Sequence, residues 1–191
     1  MRLVLASTSP YRRVLLERLG LPFSVANPNI IESALPGEPP ADLALRLAAT
    51  KAREVAPAYP ASLIIGSDQV ALLDDEILGK PGGHANASAQ LRKVSGRTLN
   101  FLTAVCIYES EKNRLSSRLV QYSVKFRNLD DAAIEAYLRR DQPYDCAGSA
   151  KAESLGIALI EKMQGDDPNA LIGLPLIALV DLLREHGIRV I

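Results

Sequence analysis

The chain has 191 residues, of which 48% are hydrophobic and 23% charged, a composition typical of one globular domain or two small lobes. Basic and acidic residues number 22 each, so the net charge gives no indication of a nucleic-acid-binding surface. No stretch reaches the roughly 20 apolar residues that span a bilayer, and the run before Pro10 is too short for a secretory signal. We therefore expect a cytoplasmic protein with neither a nucleic-acid nor a membrane partner.

The first part of the chain alternates short apolar runs with amphipathic segments. Apolar runs predict strands at residues 3–6, 23–26 and 63–73, and the last is interrupted by the polar side chains of Ser67-Asp68-Gln69. Helices are predicted over about 10–19 and 41–55. Pro10 suits the first turn of the first helix, and Gly20 suits its end.

The second part of the chain contains a predicted hairpin between helical segments. We expect a helix over about 85–94, and paired strands at 100–109 and 115–126. Asp130 can cap a helix through 139, residues 156–162 indicate a strand, and Asp167-Pro168 can begin a last helix that reaches Gly187. Because hairpins accompany crossovers, the pattern predicts an α/β fold with a mixed sheet.

Several common catalytic motifs are absent from the sequence: GxxxxGK[ST], GxGxxG after the first strand, GxSxG and HExxH. Because His84 and His186 are its only histidines, a zinc site would lack ligands. Any catalytic metal is therefore expected to be a hard ion such as Mg²⁺ or Mn²⁺, bound by carboxylates and water. Cys106 and Cys146 form no CxxC motif and are expected to be structural thiols.

Two hydroxyls and two guanidiniums cluster at the first strand-to-helix junction. Ser7, Ser9, Arg12 and Arg13 lie within seven residues there. A helix N-terminus offers unpaired N–H groups and the positive end of a dipole, and arginine adds bidentate anion recognition. The segment therefore suits phosphate binding. A capped helix with solvated arginines explains the same residues equally well.

The segment LASTSPYRR resembles the N-terminal signature of the Maf family, SxSPRR, and ordered matches continue along most of the chain. The resemblance implies one domain over 1–191, with an elongated mixed sheet, flanking helices and two lobes around a central cleft, as in Maf and ITPase-like proteins. The further matching residues are Glu32, Lys51, Gly66-Ser67-Asp68-Gln69-Val70, Gly79-Lys80-Pro81, Cys146-Ala147-Gly148-Ser149, Lys151, Glu153, Gly165, Asp167-Pro168-Asn169 and Gly173-Leu174-Pro175-Leu176.

The resemblance also implies a nucleoside triphosphate pyrophosphatase. It assigns proton acceptance to Asp68, metal binding to Glu32 together with Asp68, and phosphate binding to Lys51 and Lys80 beside the arginines. From the sequence alone, Asp68 could equally be an aspartate at a strand end that caps a turn. The two lysines alone would be interpreted as solvated side chains.

Two features favour the 7-methyl-GTP branch of the family: aromatic Tyr11, where most members have arginine, and the CAGSxKxE stretch. Methylation at N7 gives guanine a positive charge, which an aromatic face attracts. Glu153 can accept hydrogen bonds from the guanine edge, and Gln69 is a third expected contact. On base rates alone, Tyr11 would pack on the helix surface and Glu153 would be an exposed loop acid.

Three alternatives remain at this stage. The enzyme could act on dTTP, UTP or other modified nucleotides, or the protein could be a non-catalytic nucleotide-binding regulator of cell division. The complete set of Glu32, Lys51, Asp68 and Lys80 disfavours a protein without turnover. The resemblance also leaves a homodimer open, although no interface residues are indicated.

Overall fold

The computed structural model describes residues 2–191. Its strands are β1 (Arg2–Ala6), β2 (Phe23–Ala26), β3 (Ser62–Leu73), β4 (Glu76–Leu78), β5 (Thr98–Glu109), β6 (Arg114–Phe126) and β7 (Ile160–Gln164). Its α-helices are α1 (Pro10–Glu17), α2 (Pro40–Val55), α3 (His84–Val94), α4 (Asp131–Asp141), α5 (Pro168–Ile172) and α6 (Leu176–Glu185). Short 3₁₀ helices cover Ala56–Ala58, Ala147–Ser149 and Leu155–Leu159.

The strands form one seven-stranded mixed sheet. Their order is β2-β1-β3-β5-β6-β7, with β4 paired to β3. Strand β1 is parallel to β2 and β3, because α1 and α2 provide the crossovers that parallel strands need. Strand β4 is antiparallel to β3, and β7 is antiparallel to β6. The predicted α/β class with a mixed sheet and flanking helices is confirmed.

The chain divides into two compact units. The first contains the residues up to Gln69, then Thr103–Val120 and Asp167–Ile191, and the second contains Val70–Leu102 and Gln121–Asp166. The expectation of a single domain stays a prediction. The core of the first unit joins β1, β3 and β5 to α1 and α6 through buried aliphatic side chains, which are Leu3, Leu5, Leu15, Leu16, Leu63, Ile65, Val105, Ile107, Leu174, Leu176, Leu179, Leu182 and Leu183.

In the second unit, α3 packs against α4, and both helices have buried side chains. Asp130 caps α4 as predicted, since its carboxylate accepts the Ala133 N–H at 2.7 Å. Residues 155–159 form a 3₁₀ helix, so the strand predicted to start at 156 begins only at Ile160. Among the described helices, none has both the length and the apolar composition needed to cross a bilayer.

Strand β3 runs without a break from Ser62 to Leu73, so the predicted interruption is wrong. Ser67 and Asp68 are buried because each finds a partner: the single Ser67 hydroxyl hydrogen, for example, is shared between the carbonyls of Ala104 (2.8 Å) and Gly173 (2.9 Å). Alternate side chains of a strand point to opposite faces of the sheet. Asp68 contacts α2 on one face, whereas Ser67 faces the turn after α5 on the other.

The predicted single C-terminal helix is two helices, α5 and α6. Gly173 has a φ of 116°, a left-handed conformation that ends α5. Pro175 precedes the first residue of α6 and has no N–H with which to continue a helix. Apolar spacing runs through both helices, which is why periodicity alone did not reveal the break.

Gly66 permits a very close contact between β3 and α2. A Cβ atom at this position would lie 2.1 Å from the backbone oxygen of Ala48 and 3.0 Å from Cys106 Sγ. Burial raises the pKa of the Cys106 thiol to about 12, which suits its expected structural role. Because Lys51 follows Ala48 on α2 and Asp68 follows Gly66 on β3, this contact sets the distance between the two charged side chains.

We predict that Gly66→Ala lowers the free energy of unfolding by about 3 kcal/mol, because the new methyl group overpacks the contact with Ala48. Equilibrium urea denaturation measures the loss. Gly79→Ala is the matched control, since nothing lies within 4 Å of a Cβ there and its stability should hardly change. Equal stabilities of the two variants would contradict the proposed packing constraint.

Candidate active site

The turn between β1 and α1 is fixed by its own hydroxyl groups. The Ser7 side chain accepts the Ser9 N–H at 3.1 Å, and Ser9 caps α1 by accepting the Arg12 N–H at 3.4 Å. Each hydroxyl that accepts a backbone hydrogen can still donate its own hydrogen to an anion. The capped helix is therefore present, and it remains compatible with phosphate binding.

Arg12 projects from the first turn of α1 and is held by the C-terminal segment. Its Nε donates to the Gly173 carbonyl at 2.8 Å. Burial lowers the pKa of the Arg12 guanidinium, while the negative charges of Asp68 and Glu32 act in the opposite direction. Arginine stays protonated despite such a shift, so Arg12 is a fixed cation beside two carboxylates.

Lys51 joins those two carboxylates. Its Nζ lies 2.6 Å from Asp68 Oδ1 and 2.6 Å from Glu32 Oε1. The Lys51 and Asp68 side chains are only 7% and 10% exposed, whereas Glu32 is 56% exposed. The result is a buried ion pair with a third, solvent-facing member, Glu32. Together with the nearby Arg12, the group has two cations and two acids, which balance one another.

The carboxylates of this group meet the chemical requirements of a hard divalent ion. Mg²⁺ is commonly bound by one or two protein carboxylates together with substrate phosphates and water. Asp68 and Glu32 supply two such groups, both already directed at a cationic atom. Within residues 2–191, no set of three or more His, Cys, Asp or Glu side chains forms a separate metal site.

The loop that carries Glu32 is anchored to α2 by residues that the sequence did not indicate. Arg46 contacts both carboxylate oxygens of Glu38, at 2.5 and 2.8 Å, and donates to the Ser33 carbonyl at 3.0 Å. The hydrogen bonds from Arg46 lower the pKa of Glu38 to about 2. This bidentate contact connects the loop to the helix that positions Lys51.

Gln69 and Thr103 contact α5. Gln69 Nε2 lies within 3.1 Å of the carbonyls of Ala170 and Leu171 and of the Thr103 hydroxyl. The Thr103 hydroxyl donates to the Ala170 carbonyl at 2.9 Å. Neither Thr103 nor these carbonyls had a sequence signal, because they lie far from Gln69 along the chain.

The structure therefore brings together part of the predicted site. Arg12, Glu32, Lys51 and Asp68 form one charged group, and the capped turn with Ser7 and Ser9 supports it. Tyr11 is half-buried in the first turn of α1, exposed Arg13 pairs with Glu17 at 2.9 Å, and Lys80 and Glu153 are exposed in the second unit; these four roles stay predictions.

We predict that Lys51→Met lowers the free energy of unfolding by about 3–5 kcal/mol, because it leaves the Asp68 carboxylate buried without its cation. Arg13→Ala is the matched control: it also removes a cation from an ion pair, but that pair is exposed and should contribute little. Urea denaturation compares the two variants. A similar small loss in both would show that Lys51 and Asp68 are not buried as a pair.

Comparison with known proteins identifies a family and several close relatives. The model of the Maf-like protein family matches residues 2–186. The chain is 58% identical over 189 residues to the 7-methyl-GTP pyrophosphatase of Methylobacillus flagellatus, covering 99% of this chain and 98% of that protein. It is 53% identical over 190 residues to the protein of the same name in Nitrosospira multiformis, covering 100% and 96%.

A third relative of that name, in Cupriavidus metallidurans, is 54% identical over 185 residues. The match covers 97% of this chain and 93% of that protein. Among solved structures, the Staphylococcus aureus Ham1 protein matches 67% of this chain and 73% of its own, with 14% identity and a TM-score of 0.47.

Proposed function

Because the chain belongs to the Maf family, we propose that it is a nucleoside triphosphate pyrophosphatase that hydrolyses 7-methyl-GTP to 7-methyl-GMP and pyrophosphate. The observation that carries the proposal is the buried Lys51–Asp68 pair beside Arg12 and Glu32, in a chain 58% identical to a relative of that name. A cytoplasmic location and a homodimer belong to the same proposal. The location follows the sequence expectation given above, and the homodimer rests on the resemblance alone.

The proposed reaction is attack by water on the α-phosphorus. The bond between the water oxygen and the α-phosphorus forms, the α–β anhydride bond breaks, and pyrophosphate leaves. Asp68 orients the water and accepts its proton. Arg12 and Lys51 neutralise the charge on the leaving phosphates, with hydrogen bonds from Ser7 and Ser9. The resemblance adds Arg13 and Lys80 to this role.

The Lys51 ammonium has two kinds of partner available during this reaction. With no phosphate bound, it satisfies Asp68 and Glu32 at 2.6 Å each. Substrate phosphates would compete for the same ammonium, which makes the carboxylates available to other cations. We propose that Asp68 and Glu32 then bind Mg²⁺ or Mn²⁺. Such an ion, when bound, neutralises phosphate charge.

The proposed preference for 7-methylguanine rests on the cationic ring. Tyr11 offers an aromatic face worth about 0.5–2 kcal/mol to a cation, depending on desolvation. Glu153 can accept from the paired N–H donors of guanine, which uracil and thymine lack, and sites built for such donors reject bases without them. Support for both roles comes from the family resemblance and the names of the relatives.

We predict that the purified protein releases pyrophosphate from 7-methyl-GTP with a higher kcat/KM than from GTP, dTTP or UTP, and only with Mg²⁺ or Mn²⁺ present. Pyrophosphate release with and without each metal provides the measurement. Faster cleavage of dTTP or UTP would reject the base preference but keep the pyrophosphatase. Binding of nucleotides without hydrolysis under any of these conditions would instead favour a regulator.

We predict that Asp68→Asn lowers kcat by about 10⁴-fold or more, because it removes both the proton acceptor and a charged metal ligand. Single-turnover hydrolysis of 7-methyl-GTP measures the loss. Asp42→Asn makes the same chemical change on the exposed side of α2 and should retain near-native activity. Substantial turnover by the Asp68 variant would eliminate the mechanism.

A further inference from the structure

Helix α5 has only five residues, too few to be stable without tertiary contacts. Its N-terminus is fixed by Asp167, a residue only 2% exposed. One Asp167 oxygen accepts the Asn169 N–H at 2.9 Å, and the other accepts the Ile177 N–H of α6 at 2.7 Å. The same acid therefore connects the starts of both C-terminal helices.

The C-terminal carbonyls of α5 are satisfied by side chains of β3 and β5. Gln69 Nε2 contacts the Ala170 carbonyl at 2.8 Å, the Leu171 carbonyl at 3.1 Å and Thr103 Oγ1 at 3.0 Å. An amide nitrogen has only two hydrogens, so these acceptors already use its full donor capacity. Thr103, which is fully buried, adds its own hydrogen bond to Ala170.

The turn after α5 transmits this arrangement to the phosphate-binding residues. The Gly173 carbonyl accepts hydrogen bonds from Ser67 Oγ at 2.9 Å and from Arg12 Nε at 2.8 Å. Its two lone pairs are thus both used. Since the direction of the Arg12 guanidinium depends on this carbonyl, it also depends on the position of α5.

We propose that Gln69 and Thr103 are positioning residues, which fix α5 so that Gly173 directs Arg12 at the substrate phosphates. The base-selectivity contact that the family resemblance implies for Gln69 stays a separate prediction. Two observations favour the positioning role: the amide donors of Gln69 are saturated, and strand alternation places its side chain on the α5 face of the sheet, opposite Asp68. The inference takes its substrate from the proposed function, whereas the hydrogen bonds that carry it are independent of that function.

The test uses inorganic triphosphate, a ligand without a base. Gln69→Leu and Thr103→Val should each raise the inhibition constant of inorganic triphosphate by about tenfold, as expected when a hydrogen-bonded charged group loses its orientation. For Thr103→Val, whose side chain has no predicted base contact, the kcat/KM values for 7-methyl-GTP and GTP should fall by a common factor, so that the ratio between the two substrates stays constant. Thr103→Ser keeps the hydroxyl and is the matched control, with near-native affinity.

Two contrasts make the test specific to positioning. In an Arg12→Ala background, Gln69→Leu should no longer change the affinity for inorganic triphosphate, because the residue through which it acts is absent. Glu153→Gln should show the opposite pattern, with an altered substrate ratio and unchanged inorganic triphosphate affinity. Circular dichroism establishes whether each variant is folded. If Gln69→Leu does not fold, Thr103→Val tests the proposal in its place.

Native affinity of the Gln69 and Thr103 variants for inorganic triphosphate would overturn the proposal. A changed substrate ratio with an unchanged inhibition constant in Thr103→Val would overturn it as well. If the native protein hydrolyses no triphosphate, direct calorimetric binding of inorganic triphosphate still applies. Failure of the proposed function and failure of the positioning role are therefore distinguishable.

Discussion

The close approach of helix α2 to strand β3 at Gly66 is the constraint on which the charged group depends. The backbone oxygen of Ala48 occupies the space that any larger residue would need at position 66. Lys51 lies three residues beyond Ala48 on α2, and Asp68 lies two residues beyond Gly66 on β3. Their charged groups meet at 2.6 Å. A helix held farther away by a single methyl group would leave a buried ammonium and a buried carboxylate apart, each without the partner that offsets its desolvation.

Such a pair is poor evidence of selection for stability, since buried ion pairs often contribute less than apolar residues of the same size. Its value is better explained by chemistry. Lys51, Arg12, Asp68 and Glu32 keep one another satisfied while no phosphate is bound, and the proposed function gives every member a role when phosphate binds. The exposed position of Glu32 fits this view, because its carboxylate can exchange lysine for another cation without unpacking the core.

The sequence predicted the elements whose signals are local. The strands β1 and β2, the Asp130 cap and the β5–β6 hairpin all follow from short patterns, and the structure confirms them. It could not predict an unbroken β3, because the acceptor of the Ser67 hydroxyl, Gly173, lies 106 residues away.

The same limit applies to the site. The Arg46–Glu38 contact across eight residues and the Gln69–Ala170 contact across 101 residues have no periodicity to reveal them. The charged group itself was accessible only through the family resemblance, which orders residues without giving their distances.

The alternation along β3 has a consequence for how this protein can evolve. Inserting or deleting one residue between Gly66 and Asp68 would reverse the orientation of every following side chain. Asp68 would then exchange sides with a neighbour, so the acid would lose its lysine and the C-terminal segment would lose its hydrogen-bond donors in the same event. The length of this strand should therefore be invariant among active descendants, even where the chemical identity of individual positions drifts.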